Sequence, residues 1–187
     1  MRQLAKFKWN GNTLNNQFDI TEYNFKSPVL SGLSNESGLF LAGACPCKHQ
    51  KTALGDLRTL KTLGVEYIFS LISNADLRQL GINNPFSDFI NYGFSVTHFP
   101  IDDRSVPNLE SHLTLRSMIL KMETYLESNK VFYIHCQAGL GRTGLITALL
   151  FRRLGMSPKH AISIVRLHRP GSIETKEQED FVHNFDI

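Results

Sequence analysis

An α/β fold, with a central, mostly parallel sheet of about four to five strands and helices on both faces, is predicted by three features of the chain. From Gly38 onward, short apolar runs are separated by segments long enough to be helices. One of those segments, "TALGDLRTLKTLG", carries Leu54, Leu57, Leu60 and Leu63 at helical spacing. The four large apolar residues Val131 to Ile134 break into His135-Cys136 and two spaced glycines, then enter a helix that is apolar nearly all round.

Taken in order, residues 1–37 are rich in Asn, Ser and Gly, with short mixed runs such as "FDITEYNF" and a loop passage "SPVLSGLSNESG". "LFLAG" is a short strand, and the leucine stripe that follows ends at Gly64. "VEYIFSLI" makes a second strand. "FSVTHFPI" makes a third, stopped by Pro100 and followed by the acidic loop "DDRSVP". Asn108 is placed to cap the long helix "LESHLTLRSMILKMETYLES", on which Leu109, Leu113, Met122, Tyr125 and Leu126 fall near one face. "KVFYIHC" is the fourth strand and "TGLITALLFRRLG" a central helix. "SPKHAISIVRLHR" opens with Ser at the cap and Pro at the first helical position. A last helix starts near "TKEQEDFVHNF", where Thr175 and Gln178 have capping-box spacing.

A chain of 187 residues can bury one core without metals or disulfides, so one domain is expected, with residues 1–37 as an extension packed on a core of residues 38–187. Its 42% hydrophobic and 20% charged residues suit an ordinary globular protein, and no run is long and apolar enough for a membrane span. Residues 1–15 lack the apolar segment of a signal peptide. Three cysteines argue against a disulfide framework and fit a reducing compartment, so a cytoplasmic location is expected; a monomer is expected as well. A net charge of +3, with no dense block of Lys and Arg, does not indicate nucleic acid.

The chemistry concentrates between His135 and Gly144. A buried strand that turns into a helix puts the turn at the strand's carboxyl end, where α/β folds bind ligands. Gly139 and Gly141 let the chain curl, and the N–H groups of Gln137, Ala138, Gly139, Leu140, Gly141 and Arg142 can form a cup for a tetrahedral anion. The same partial positive charge favours a thiolate on Cys136. Arg142 can grip two equatorial oxygens, and Thr143 can offer its hydroxyl to the sulfur. His135 is expected to brace the turn by hydrogen bonding and to help keep the thiol ionised. A leaving oxygen needs an acid, for which the upstream loop "PIDDRSVP" offers Asp102 or Asp103.

Cys, five residues, then Arg, with His before and Thr after, resembles the signature of the cysteine-dependent protein phosphatases, tyrosine-specific and dual-specificity. From about Leu39 to the end, roughly four-fifths of the chain, "LGVEYIFSL", "HFPIDDRSVPN", "IHCQAGLGRTG" and "RPGSIETKEQEDFV" follow the order of the cyclin-dependent kinase-associated phosphatase group and its bacterial and atypical kin. The resemblance implies a tyrosine phosphatase-like fold and a two-step reaction through a cysteinyl-phosphate, with no metal or cofactor. The dual-specificity pattern selects Asp103 as the acid, with Asp102 as its neighbour. It further implies a phosphorylated protein as substrate, a kinase being one candidate.

Where tyrosine-specific relatives hold water with a Gln before the Thr of the last motif, this chain has Glu174, a carboxylate expected to turn away from the anion or to be partly protonated. Gln178 is open to two roles, orienting water or closing the capping box. The long acid loop with Trp and the pocket-deepening Tyr of tyrosine-specific relatives are not recognisable, which implies a shallower site. Arg152-Arg153 and Arg166, His168 and Arg169 are either aids to anionic substrates or solvated helix ends. Cys45 and Cys47 are incidental thiols or redox protectors of Cys136, and Cys45, Cys47 and His49 fall one ligand short of a zinc site. Three rival functions share the cup: a non-catalytic phosphopeptide module, a phosphoinositide phosphatase and a sulfur transferase.

Overall fold

The computed structural model describes residues 13–14, 19–26, 37–46, 53–82 and 85–187. The sheet forms because its strands carry apolar side chains on both faces, which only a doubly covered sheet can bury. Phe40 and Ala42 of β3 (Ser37–Gly43), Phe69 of β4 (Val65–Ser70) and Phe132 and Ile134 of β6 (Val131–His135) enter one core. Their alternates Leu41, Ile68 and Tyr133 enter a second core on the opposite face. The first core is closed by α4 (His112–Glu127), α5 (Gly141–Arg153), α6 (Pro158–His168) and α7 (Lys176–Asn184), through side chains such as Met118, Leu149, Val165 and Val182. α1 (Ala53–Thr62) and α3 (Pro85–Asn91) cover the other face with Leu57, Leu60 and Phe89. Every residue of α5 from Gly141 to Phe151 is buried, as its all-round apolar sequence requires.

Among the described residues the sheet has six strands rather than four or five, in the order β1-β2-β3-β6-β4-β5. β3, β6, β4 and β5 (Ser95–His98) are parallel, while β1 (Thr13–Leu14) and β2 (Ile20–Lys26) add an antiparallel edge. Residues 20–26, to which the sequence assigns no element, are thus a full partner of β3, paired from Ile20 opposite Gly43 to Lys26 opposite Ser37. Most of the "SPVLSGLSNESG" passage lies outside the described residues.

Two apolar stripes differ from expectation. On α1 only Leu57 and Leu60 are fully buried, and Leu54 is exposed on the first turn. Asn108 caps a single 3-10 turn, Leu109–Ser111, accepting from the Ser111 N–H, and α4 begins only at His112. Leu109 and Leu113 therefore face solvent, and the buried stripe runs through Leu115, Met118, Ile119, Met122 and Leu126. Ser157 with Pro158, and Thr175 with Gln178, cap α6 and α7 as their sequences dictate. α2 (Asn74–Leu80), capped reciprocally by Ser73 and Asp76, has no counterpart in the sequence reading, and nor does α3.

The parallel strands end side by side, and their backbones stay hydrogen-bonded beyond the ladder. Leu71 N–H donates to His135 O, Phe99 N–H to Ser70 O, Ile101 N–H to Leu71 O and Cys45 N–H to Gln137 O. The segments after β3, β4, β5 and β6 are fastened into one edge, where the turn after Cys136 sits.

Candidate active site

Backbone polarity shapes the turn. The carbonyl oxygens of Gln137, Ala138 and Gly139 all have donors: Cys45 N–H for the first, Arg169 for the other two. With the oxygens engaged there, the N–H groups are left for the cup, and Gly139 N–H reaches Cys136 Sγ at 3.2 Å. Gly139 has φ +76, and its Cα face lies against the Gly43 backbone, where any side chain would overlap. Cys136 is 2% exposed, at the base of the cup.

Arg142 is equally buried and held by a frame of acceptors. Its Nη1 donates to Asp76 Oδ2 at 2.5 Å and Ile101 O at 3.0 Å; its Nη2 donates to Asp76 Oδ1 at 3.3 Å and Asp103 Oδ1 at 2.8 Å. Burial is the largest single influence and disfavours the Arg142 charge, but the Asp76 hydrogen bond and the electrostatic attraction of Cys136, Asp76 and Asp103 together outweigh it and raise the pKa. Asp76 is the reciprocal case. Burial pushes its carboxyl up, yet Arg142 and the Ser73 N–H and hydroxyl hold it below the usual carboxylate range. Removing either partner would strand a buried charge. Asp76 was not among the expected site residues; its one sequence signal is the Ser73-x-x-Asp76 spacing directly after a strand.

The acid loop brings one aspartate to the cup and leaves the other outside it. Asp103 touches Arg142 while its side chain remains 58% exposed. Asp102 instead lines a cavity on the other side of the loop.

Arg169 contradicts both readings of its segment, since it is 5% exposed and serves as a strut. Its Nε donates to Gly139 O at 2.5 Å and its Nη2 to Ala138 O at 3.2 Å, while Asp19 receives both terminal nitrogens at 2.9 and 2.6 Å. Nothing local in "RLHRPG" distinguishes this arginine from a solvated one. Arg166 donates to Ser172 O, Ile173 O and Glu179; Arg152 to Val182 O and Phe185 O; Arg153 to Glu123.

His135 is fully buried, and its Nδ1 donates to Cys136 O at 3.1 Å, which fixes the proton on that nitrogen. Burial lowers its pKa to about 4. The imidazole is therefore neutral near pH 7 and braces the turn without contributing charge to the thiol, contrary to half of the expectation. The Thr143 hydroxyl is buried without a hydrogen-bond partner among the described residues, so the expected bond to sulfur is not made.

The amide of Gln178 is fully engaged: Oε1 accepts from the N–H groups of Glu174 and Thr175, and Nε2 donates to Ser105 O. It ties α7 to the acid loop. Glu174 is exposed, and its Oε2 lies against Gly141, where a side chain would overlap it. A carboxylate thus sits at the rim of the anion cup. Cys45 is buried and donates its thiol hydrogen to Pro46 O; Cys47 and His49 lie outside the described residues. Among the described residues no cluster fit for a metal occurs, and no helix is long and apolar enough to cross a membrane.

This geometry agrees with what the chain is similar to. Cyclin-dependent kinase inhibitor 3 of Sus scrofa is 31% identical over 133 residues, covering 70% of this chain and 61% of that protein. Putative tyrosine phosphatase 197R of invertebrate iridescent virus 6 is 30% identical over 163 residues, covering 86% and 55%. The chain thus matches about three-fifths of the length of these curated relatives. Among solved structures, a kinase associated phosphatase with its catalytic cysteine replaced by serine superposes with a TM-score of 0.75 at 26% identity, covering 91% of this chain and 95% of that one. The family model described as "Polymorphic toxin system, DSP-PTPase phosphatase" matches residues 42–155. That match spans more than half of the chain and takes in both the acid loop and the Cys136 turn, so the chain belongs to the DSP-PTPase phosphatase family.

Proposed function

We propose that the protein is a dual-specificity protein phosphatase that hydrolyses phosphotyrosine, phosphoserine and phosphothreonine through a cysteinyl-phosphate on Cys136. The observation that carries this reading is the polarity of the cup, with loop carbonyls engaged from outside, Gly139 N–H on the sulfur, and the Arg142 guanidinium held in the same site. A phosphoryl group in the cup receives the amide hydrogens and the Arg142 fork, which stabilise the charge spread over its equatorial oxygens. The sulfur attacks phosphorus, the phosphorus–oxygen bond breaks, and the leaving oxygen takes a proton from Asp103. Water then attacks phosphorus, Asp103 accepts its proton, and the phosphorus–sulfur bond breaks to release phosphate and thiolate.

Asp103 is favoured over Asp102 because it alone reaches Arg142. In the free protein Asp103 occupies the guanidinium edge that a phosphoryl oxygen would take, so binding must release it toward the leaving group, where it has to take up a proton before it can donate one. The relatives' names make a phosphorylated kinase one candidate substrate. The test is a pH–rate profile on an aryl phosphate for the parent, Cys136→Ser, Asp102→Ala and Asp103→Ala. Cys136→Ser is expected to be inactive and Asp103→Ala to lose the basic limb of the bell. Loss of that limb in Asp102→Ala instead would refute the acid assignment.

A further inference from the structure

We propose that a polar cavity across the acid loop from Cys136 is a substrate-specificity pocket, which takes an anionic side chain, a carboxylate or a second phosphate, from the phosphorylated protein, with Arg78 as its cation. The proposal rests on the protein-phosphatase reading and extends it to the residues flanking the phosphorylated one. The cavity encloses about 570 Å³, and neither Cys136 nor any residue of the 137–142 turn lines it.

Its position couples it to the catalytic centre through two shared residues. Ile101 lines the cavity and gives its carbonyl to Arg142. Ser73 lines it too, and holds the Asp76 carboxylate that grips Arg142. The cavity therefore adjoins the residues that hold Arg142, so a peptide with its phosphoryl group in the cup can extend toward it.

The chemistry of the lining is that of an anion site. On α2, Asp76 and Leu77 point into the protein, and Asn74 and Arg78, one helical turn apart, line the cavity. Whereas Arg142, Arg166 and Arg169 are each paired with a carboxylate, Arg78 is exposed and its side chain makes no ion pair or hydrogen bond with the described residues. Across from it, Asn108 uses Oδ1 to accept from Ser111 N–H, which fixes the amide orientation and leaves Nδ2 to donate to a ligand. Phe99 and Val106 supply apolar wall for the ligand's aliphatic stem. Asp102 lines the same cavity and carries the opposite charge, which places the anion at the Arg78 side and predicts that Asp102→Asn strengthens the preference.

The experiment compares kcat/KM for phosphotyrosyl peptides in which one flanking residue is, in turn, glutamate, phosphoserine or glutamine, moved one position at a time, with turnover read at the phosphotyrosine. An aryl phosphate that fills only the cup is the control. For the parent, an anionic residue at one flank should raise kcat/KM about fivefold over glutamine, equivalent to roughly 1 kcal/mol for a solvent-facing charge pair. Arg78→Ala should abolish that preference, Arg78→Lys should keep part of it, and both should turn over the aryl phosphate at the parental rate. The ratio of glutamate to phosphoserine peptides separates the two sources of negative charge. Peptide hydrolysis without an anionic preference, or a preference that survives Arg78→Ala, overturns the pocket and leaves the protein-phosphatase reading intact. Turnover of the aryl phosphate or of an inositol phospholipid with no peptide turnover removes both.

Discussion

Replacing His135 with asparagine tests whether a buried neutral imidazole braces the turn. Asparagine can still donate to Cys136 O, but it removes a titrating group. In the unfolded chain a histidine takes up a proton near pH 6.5; in the folded protein His135 resists protonation down to about 4. Between these values the unfolded state binds more protons, so stability rises with pH. The His135 contribution is complete above pH 6.5, falls as the pH drops toward 4, and is lost through the folded value. At 1.36 kcal/mol per unit, the parent should lose about 3 kcal/mol between pH 7 and pH 4 that the variant does not. The assay is urea unfolding of both proteins across that range. The informative quantity is the parent-minus-variant difference, which cancels the other titrating groups. A difference that stays flat with pH would refute the burial argument, and one that grows toward acid would reverse its sign.

Two other substitutions probe the frame of the cup. Arg169→Lys keeps a cation but loses the fork that spans Gly139 O, Ala138 O and Asp19; kcat on an aryl phosphate should fall about a hundredfold with binding of orthovanadate weakened, because a small displacement of the amides misplaces the whole site. Parental kcat would show that Arg169 only adds stability. Glu174→Gln removes the carboxylate at the rim beside Gly141, so inhibition by inorganic phosphate should tighten about fivefold at low salt and less at high salt; an unchanged inhibition constant would show that this charge does not reach the anion.

What could be read in the sequence was what is local. The succession of strands along the chain from β3 onward, the caps at Ser157 and Thr175 and the strand–turn–helix passage through Cys136 each rest on a few adjacent residues, and the fold places them accordingly. β2 was not legible because its partner lies across a loop passage and its sequence, "ITEYNFK", lacks a clean apolar alternation. Leu109 and Leu113 misled because the helical period runs through them, although the α-helix starts later and buries a different stripe. Asp76 and Arg169 escaped for a related reason. Asp76 meets Arg142 across 66 residues, and Arg169 meets Asp19 across 150, so neither contact leaves a trace in spacing.

The strut under the phosphate loop also bears on where a working version of this protein can be cut. The stretch matched by the family model, residues 42–155, contains Cys136, Arg142 and Asp103, yet excludes both Asp19 and Arg169. A fragment trimmed to that stretch would carry all three side chains proposed to react and lack the brace that turns the loop's oxygens outward. Its amides would be free to re-pair among themselves, and the catalytic alphabet would be present without the grammar that orders it.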